Sequence, residues 1–205
     1  MQDIMSDRER TSPKDWATLG EFNGFLAENG EIDYLDAVFV DMRGTVRGKR
    51  FPSEEADKVF TAGVQMPQSL YFFDVTGVNE DILGMGFSDG DPDAQAHPVS
   101  GSIVPVPWAS MKQAQVLMTM VDGEGKPLML EPRNVLAKVV AKLAEIGLKA
   151  TVACEFEFYV LDKDMDRKGR PQPPINPATG IRETANEVYG ITELDGFMGL
   201  LKEID

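Results

Sequence analysis

Thiol and imidazole chemistry are almost missing from this chain: its 205 residues include one cysteine, Cys154, and one histidine, His97. A single thiol closes no internal disulfide and builds no cysteine-ligated zinc site, and a reducing, cytoplasmic setting fits. Cys154 lies in an apolar run and His97 in a Pro-rich loop far away in sequence, so a buried structural thiol is expected rather than an activated nucleophile. No run of about 18 or more apolar residues occurs, so no transmembrane helix is expected. Met1 to Lys14 is polar and mixed in charge, without the apolar core of a signal peptide, and reads as a loosely ordered tail. Positive charge is also scarce, with 20 Lys and Arg against 34 Asp and Glu and a net charge of −14. Such a surface repels phosphate backbones and anionic lipid, which argues against nucleic-acid and membrane partners.

What is present is ordinary globular material, 42% hydrophobic and 26% charged, enough for one large or two small domains. Ser12-Pro13 reads as a helix start. Trp16, Leu19, Phe22, Phe25 and Leu26 then recur at helical spacing up to the stop at Asn29-Gly30. Tyr34 to Met42 and Thr45 to Phe51 read as two strands of an antiparallel hairpin, turning at Arg43-Gly44. Pro52 to Glu55 opens a short helix. Residues 62 to 98 form a long Gly-, Asp- and Pro-rich stretch of the kind that is usually functional. Further strands are expected at Gly101 to Trp108, Gln115 to Val121, Pro127 to Leu130 and Leu148 to Leu161. A helix starting at Glu131-Pro132 carries the apolar stripe Val135, Leu136, Val139, Val140, Leu143 and Ile146 and ends at Gly147. Thr192 to Ile204 is helix-like again.

Three features carry possible chemistry. In Glu155-Phe156-Glu157, carboxylates at i and i+2 of a strand share one face. Two acids side by side in an apolar strand repel one another unless a cation or water meets them, and a hard divalent ion suits oxygen ligands. A solvated strand face stands beside that reading, because exposure is the default for glutamate. Second, Arg43, Arg47, Lys49 and Arg50 put a basic hairpin in an acidic protein. It can serve an anionic substrate or an acidic neighbouring subunit, or simply protect a sheet edge. Third, the long loop carries Asp74, Asp89, Asp91 and Asp93, but without EF-hand spacing, and turn chemistry accounts for the last three.

In combination, these residues resemble the glutamine synthetase family, and within it the γ-glutamylpolyamine (γ-glutamylputrescine) synthetase branch. The resemblance runs from Val40-Asp41-Met42-Arg43-Gly44 through Lys49-Arg50-Phe51-Pro52 and Asp91-Pro92-Asp93 to Glu131-Pro132-Arg133-Asn134. It continues through Glu155-Phe156-Glu157-Phe158-Tyr159, Gln172-Pro173-Pro174 and Val188-Tyr189. It implies an α+β fold, with a tail and helix over 1–30, a β-grasp-like domain over 31–130 and the beginning of the catalytic domain over 131–205. It implies an ATP-dependent ligase that forms a γ-glutamyl phosphate and then an amide, with ammonia or a polyamine such as putrescine. By resemblance, Glu155 and Glu157 match two metal-binding glutamates for Mg²⁺ or Mn²⁺. Asp74 matches an aspartate that reaches a neighbouring subunit's site to hold and deprotonate the amine, although Asp74-Val75-Thr76-Gly77 departs from the family's Asp-Gly-Ser-Ser. Glutamate, ATP and a homo-oligomer of two stacked rings, a dodecamer, are the partners so implied, with no nucleic acid and no membrane. The family's remaining metal ligands, its glutamate-binding loop and its phosphate-binding arginines are expected beyond Asp205, so the chain alone is expected to be inactive. Two functional alternatives stand beside this: a glutamine synthetase using ammonia, and a non-catalytic binding or regulatory domain working through its basic hairpin.

Overall fold

The computed structural model describes residues 16–85, 88–182 and 188–204. The predicted helix start at Ser12-Pro13 lies outside them, and Trp16, expected within that helix, instead bridges Val99, the helix beginning at Leu19. Contacts divide the chain into two units, Met1–Thr151 and Val152–Asp205.

The first unit is built on one mixed sheet. Strands β1 (Tyr34–Val40) and β2 (Val46–Pro52) form the expected antiparallel hairpin. β3 (Val64–Pro67) pairs with β4 (Asp93–Pro98), which lies antiparallel to β6 (Gln113–Val121), and β6 runs parallel to β1. The order is β2-β1-β6-β4-β3, with the short β5 (Val104–Pro105) attached to β6. The parallel pair is central and covered, as parallel strands require. Alternation does the covering: Leu35, Ala37 and Phe39 of β1 and Ala114, Val116, Met118 and Met120 of β6 are buried in one cluster. Fully burying each larger side chain stabilises by about 1.5–3 kcal/mol.

Helix α1 (Leu19–Asn29) starts where the Thr18 hydroxyl accepts the Glu21 N–H at 3.2 Å, and it ends where Gly30, at φ 83°, donates to the Leu26 carbonyl at 2.8 Å. Its buried Phe22 stacks on Phe60 of α2 (Asp57–Thr61) with ring centroids 4.6 Å apart. The small residues Ala94 and Ala96 of β4 let α2 pack closely there. Gly48 in β2 is compulsory: a Cβ there would lie 2.1 Å from the Ala37 carbonyl oxygen.

Several expected strands are shorter or absent. Gly101 to Trp108 contributes only β5, and Pro127 to Leu130 only a bridge from Pro127 to Val121. Helix α3 (Pro132–Glu145) forms as expected, but none of its side chains is buried, and Val135, Leu136 and Val139 face solvent.

The second unit departs most. Leu148 to Leu161 is not a strand; residues 149–161 have no regular structure, and residues 151–161 are exposed. A strand needs a neighbour to pair its backbone groups, and no described segment pairs with this one. Cys154, expected to be buried, is therefore exposed. The helical pattern near 192–204 appears as α4 (Ile191–Gly196) and α5 (Met198–Ile204). Loop 162–182 is shaped by its own turns. Asp166 accepts the Lys168 and Arg170 N–H groups, and Asp162 pairs with Arg182 at 2.7 Å. An open apolar groove of about 460 Å³ remains, lined by Val160, Pro174, Ile191, Leu194, Phe197 and Leu201 among others.

Candidate functional site

Three acidic residues were singled out by sequence, and they fall in different units. Asp74 belongs to the first unit, and Glu155 and Glu157 to the second. Both glutamates are exposed and make no hydrogen bond or ion pair among the described residues. Their paired-face geometry depended on the strand that does not form. No group of three or more His, Cys, Asp or Glu among the described residues is arranged to hold a metal ion. The two acids offer the hard oxygen donors a divalent cation prefers, yet two carboxylates fall short of the six or so ligands such an ion takes.

Asp74, by contrast, sits in a defined turn. Phe73 and Asn79 form an antiparallel bridge, the Asp74 N–H donates to the Val78 carbonyl at 2.8 Å, and the Gly77 N–H donates to the Asp74 carbonyl at 3.1 Å. Gly77 takes φ 87°, a conformation that favours glycine. One carboxylate oxygen, Oδ1, accepts the Thr76 N–H at 2.8 Å, the Thr76 hydroxyl at 2.7 Å and the Val78 N–H at 2.9 Å. The Thr76 hydroxyl bond, followed by that from Val78, holds this carboxyl below its ordinary range, so Asp74 is an anion at neutral pH. Its other oxygen, Oδ2, has no partner among the described residues and is open to a cationic or N–H ligand. At the base of the loop, Asn79 Nδ2 donates to the Ser69 carbonyl at 2.9 Å.

The tip of the β1–β2 hairpin lies against this turn. Asp41 is only 4% exposed. Its Oδ1 accepts the Arg43 and Thr45 N–H groups, each at 2.9 Å, and its Oδ2 accepts Arg47 Nε at 2.7 Å. Burial pushes the Asp41 carboxyl up, but the Arg47 bond and the two backbone bonds outweigh it and hold the group low. The Arg47 guanidinium stacks 4.3 Å above the centre of the Phe73 ring. Arg43 comes close as well: a Cβ on Gly77 would lie 3.7 Å from its guanidinium. The basic hairpin was legible in sequence. Its anchor Asp41 and its stacking partner Phe73 were not, since nothing local links residues 41, 47 and 73.

A second polar cluster escaped sequence reasoning. Glu131 stands at the start of α3 and is 2% exposed. Its Oε2 accepts the Met120 N–H at 2.7 Å, the Asn134 amide at 2.8 Å and the Thr119 hydroxyl at 3.1 Å. Burial raises its carboxyl to about 7, with the Met120 and Thr119 bonds opposing. Asn134 Nδ2 also donates to the Met120 and Leu128 carbonyls, each at 3.0 Å. These bonds tie the first turn of α3 to the end of β6, and the only available sequence signal was the Glu-Pro helix start.

Comparison with known proteins adds what geometry does not. Residues 129–205 match the family described as glutamine synthetase, catalytic domain, a span that includes Glu155 and Glu157 but not Asp74. The chain is 37% identical over 185 residues to a γ-glutamylputrescine synthetase of Escherichia coli (strain K12), covering 90% of this chain and 39% of that protein. It is 36% identical over 137 residues to a glutamate–isopropylamine ligase of a Pseudomonas species, covering 66% of this chain and 30% of the relative. It is 31% identical over 140 residues to a glutamine synthetase of Halobacterium salinarum, covering 66% and 28%. The chain thus spans less than two fifths of the length of each of these curated relatives. No helix among the described residues is long and apolar enough to cross a membrane. The chain is thus similar to glutamine synthetase family ligases over most of its length, and residues 129–205 carry the match to that family's catalytic domain.

Proposed function

We propose that these residues are part of an ATP-dependent glutamate–amine ligase. The observation that carries this is the 37% identity to a γ-glutamylputrescine synthetase over 90% of the chain, joined to the catalytic-domain match at 129–205. In this reading the γ-carboxylate of glutamate attacks the terminal phosphate of ATP and ADP leaves. The amine nitrogen then attacks the acyl phosphate, phosphate leaves, and the nitrogen gives up a proton. Residues 31–130 serve as a β-grasp-like domain, a reading supported by the central parallel β1–β6 pair flanked by the β1–β2 hairpin. Residues 131–205 begin the catalytic domain, after the tail and helix of 1–30. Glu155 and Glu157 supply two oxygen ligands to Mg²⁺ or Mn²⁺, which neutralises phosphate charge when bound. Their remaining co-ligands lie outside the described residues.

Asp74 is the amine-facing acid, acting in the site of a neighbouring subunit of a double-ring oligomer. Its Oδ1 is committed to the turn. Oδ2 remains to accept an N–H from the incoming ammonium and take its proton. The carboxyl is held low, so it binds the cation well before it acts as a base.

The test is steady-state kinetics of a ligase carrying this region and a complete catalytic domain, with putrescine and ammonia as rival nucleophiles. Amine ligation predicts ATP- and glutamate-dependent phosphate release that is faster with putrescine at equal concentration. A preference for ammonia would make it a glutamine synthetase, and no turnover with either would sink the ligase reading. The 205-residue chain alone is expected to release no phosphate, because no group of three or more His, Cys, Asp or Glu among its described residues is arranged to hold a metal ion.

A further inference from the structure

We propose that Arg47 and Arg43 are positioning residues for Asp74, clamping its turn onto the β1–β2 hairpin. The proposal rests on the reading of Asp74 given above. Neither arginine touches the Asp74 carboxylate: its hydrogen bonds come from Thr76 and Val78, and no arginine contributes to holding it low. What the arginines touch is the frame of the turn. Arg47 covers the Phe73 ring, one residue before Asp74 in the chain, and Arg43 lies beside Gly77, three residues after it.

The clamp is itself braced. An arginine on an exposed hairpin normally samples many rotamers, and fixing it costs entropy. Here a single buried carboxylate, Asp41, accepts Arg47 Nε and also closes the hairpin turn through the Arg43 and Thr45 N–H groups. The Arg47 side chain is 23% exposed, so its stacking on Phe73 is partly shielded from water and salt. The segment after Phe73 lacks any such support. Val75, Thr76, Gly77 and Val78 are exposed, and the bridge from Phe73 to Asn79 is isolated from the main sheet. An acid that meets a substrate amine must be held to within a fraction of an ångström. The turn's own bonds and the Asn79 and Glu80 bonds at its base fix its shape, and the arginines fix it against the hairpin.

The experiment has two readouts. The first is amide hydrogen exchange on the 205-residue chain. The Gly77 and Val78 amides close the turn, and the Met120 amide reports the core. Phe73→Leu keeps the Asp41–Arg47 pair and removes the ring, so it tests the clamp without stranding a buried charge. It should speed exchange at Gly77 and Val78 by about tenfold and leave Met120 unchanged. Arg47→Met should do the same or more, and Arg47→Lys should restore part of the protection. Unchanged exchange at Gly77 and Val78 in both Phe73→Leu and Arg47→Met overturns the clamp.

The second readout is the KM for the amine in a ligase with a complete catalytic domain. Phe73→Leu should raise the amine KM several-fold while leaving the KM for ATP alone, in the same direction as Asp74→Asn. Loosened exchange with an amine KM moved by Asp74→Asn but not by Phe73→Leu overturns the positioning role. Loosened exchange with an amine KM moved by neither variant supports the clamp on the turn and overturns the reading of Asp74 instead.

Discussion

Strand β1 of the first unit and residues 152–161 of the second contain the same kinds of side chain in opposite states. In the first region Leu35 and Ala37 alternate into a core and are 0% exposed. In the second, Phe156 and Tyr159 stand 88% and 94% exposed on a stretch with the same alternating character. Hydrophobicity does not separate them; partners do. β1 has β2 on one side and β6 on the other, so its backbone groups are paired, and its inward residues lie in the buried cluster that also holds Phe22, Phe25 and Val59. Residues 149–161 have no strand beside them among the described residues, and burying them unpaired would cost more than it gained. An apolar strand is thus a request for neighbours, and only one of the two regions has them.

The comparison is most strongly tested by equivalent truncations. Phe39→Ala, in the buried cluster, should destabilise the chain by about 3–5 kcal/mol in a urea titration followed by circular dichroism. Phe197→Ala, on the open groove of the second unit, should cost under about 1 kcal/mol in the same titration. Equal losses would show that the second unit carries a core of its own.

The joint at Glu131 sharpens the comparison through pH. Its carboxyl is raised to about 7 in the folded protein from an ordinary 4.5. The folded state therefore binds the proton more tightly than the unfolded one. The stabilisation from that proton is complete below about pH 4.5 and is lost as pH rises to about 7, by up to roughly 3 kcal/mol. His97, stacked on Trp16 with centroids 3.4 Å apart, has its basicity lowered by burial, and its contribution runs the other way, being lost as pH falls. The measurement is therefore the difference between the wild-type protein and Glu131→Gln across pH 5 to 7. The wild-type protein should lose stability relative to the variant as pH rises, and a constant difference would refute the raised carboxyl.

The smallest effect is expected in the second unit. Glu155→Gln should change the stability of this chain by less than about 0.5 kcal/mol, with or without added Mg²⁺, because the side chain is exposed and lone carboxylates hold the ion weakly. A marked rise in stability with Mg²⁺ that Glu155→Gln abolishes would mean that a metal centre assembles here after all.

Much of the local structure could be read directly. The Phe22 and Phe25 spacing with its Asn29-Gly30 stop gave α1, the alternation across Arg43-Gly44 gave the hairpin, and Glu131-Pro132 gave the start of α3. The candidate acids were named from the sequence too, Glu155 and Glu157 by their spacing and Asp74 only through the family resemblance. Their geometry was not legible. Glu155 and Glu157 share a face only inside a sheet, and Asp74 gains its open oxygen only because Thr76 and Val78 occupy the other one.

By itself, the order of residues determined where helices and turns begin and end, because caps, glycine conformations and periodic apolar faces act over a few positions. Only the tertiary structure decided that β1 would lie parallel to β6, that Gly48 must leave room for the Ala37 carbonyl, that Glu131 would be buried under α3, and that Arg47 would reach across to Phe73. Each of those outcomes joins groups far apart in the chain or depends on how much water is excluded around them. Contacts of that kind have no local signature and exist only once the whole sheet has closed around its core.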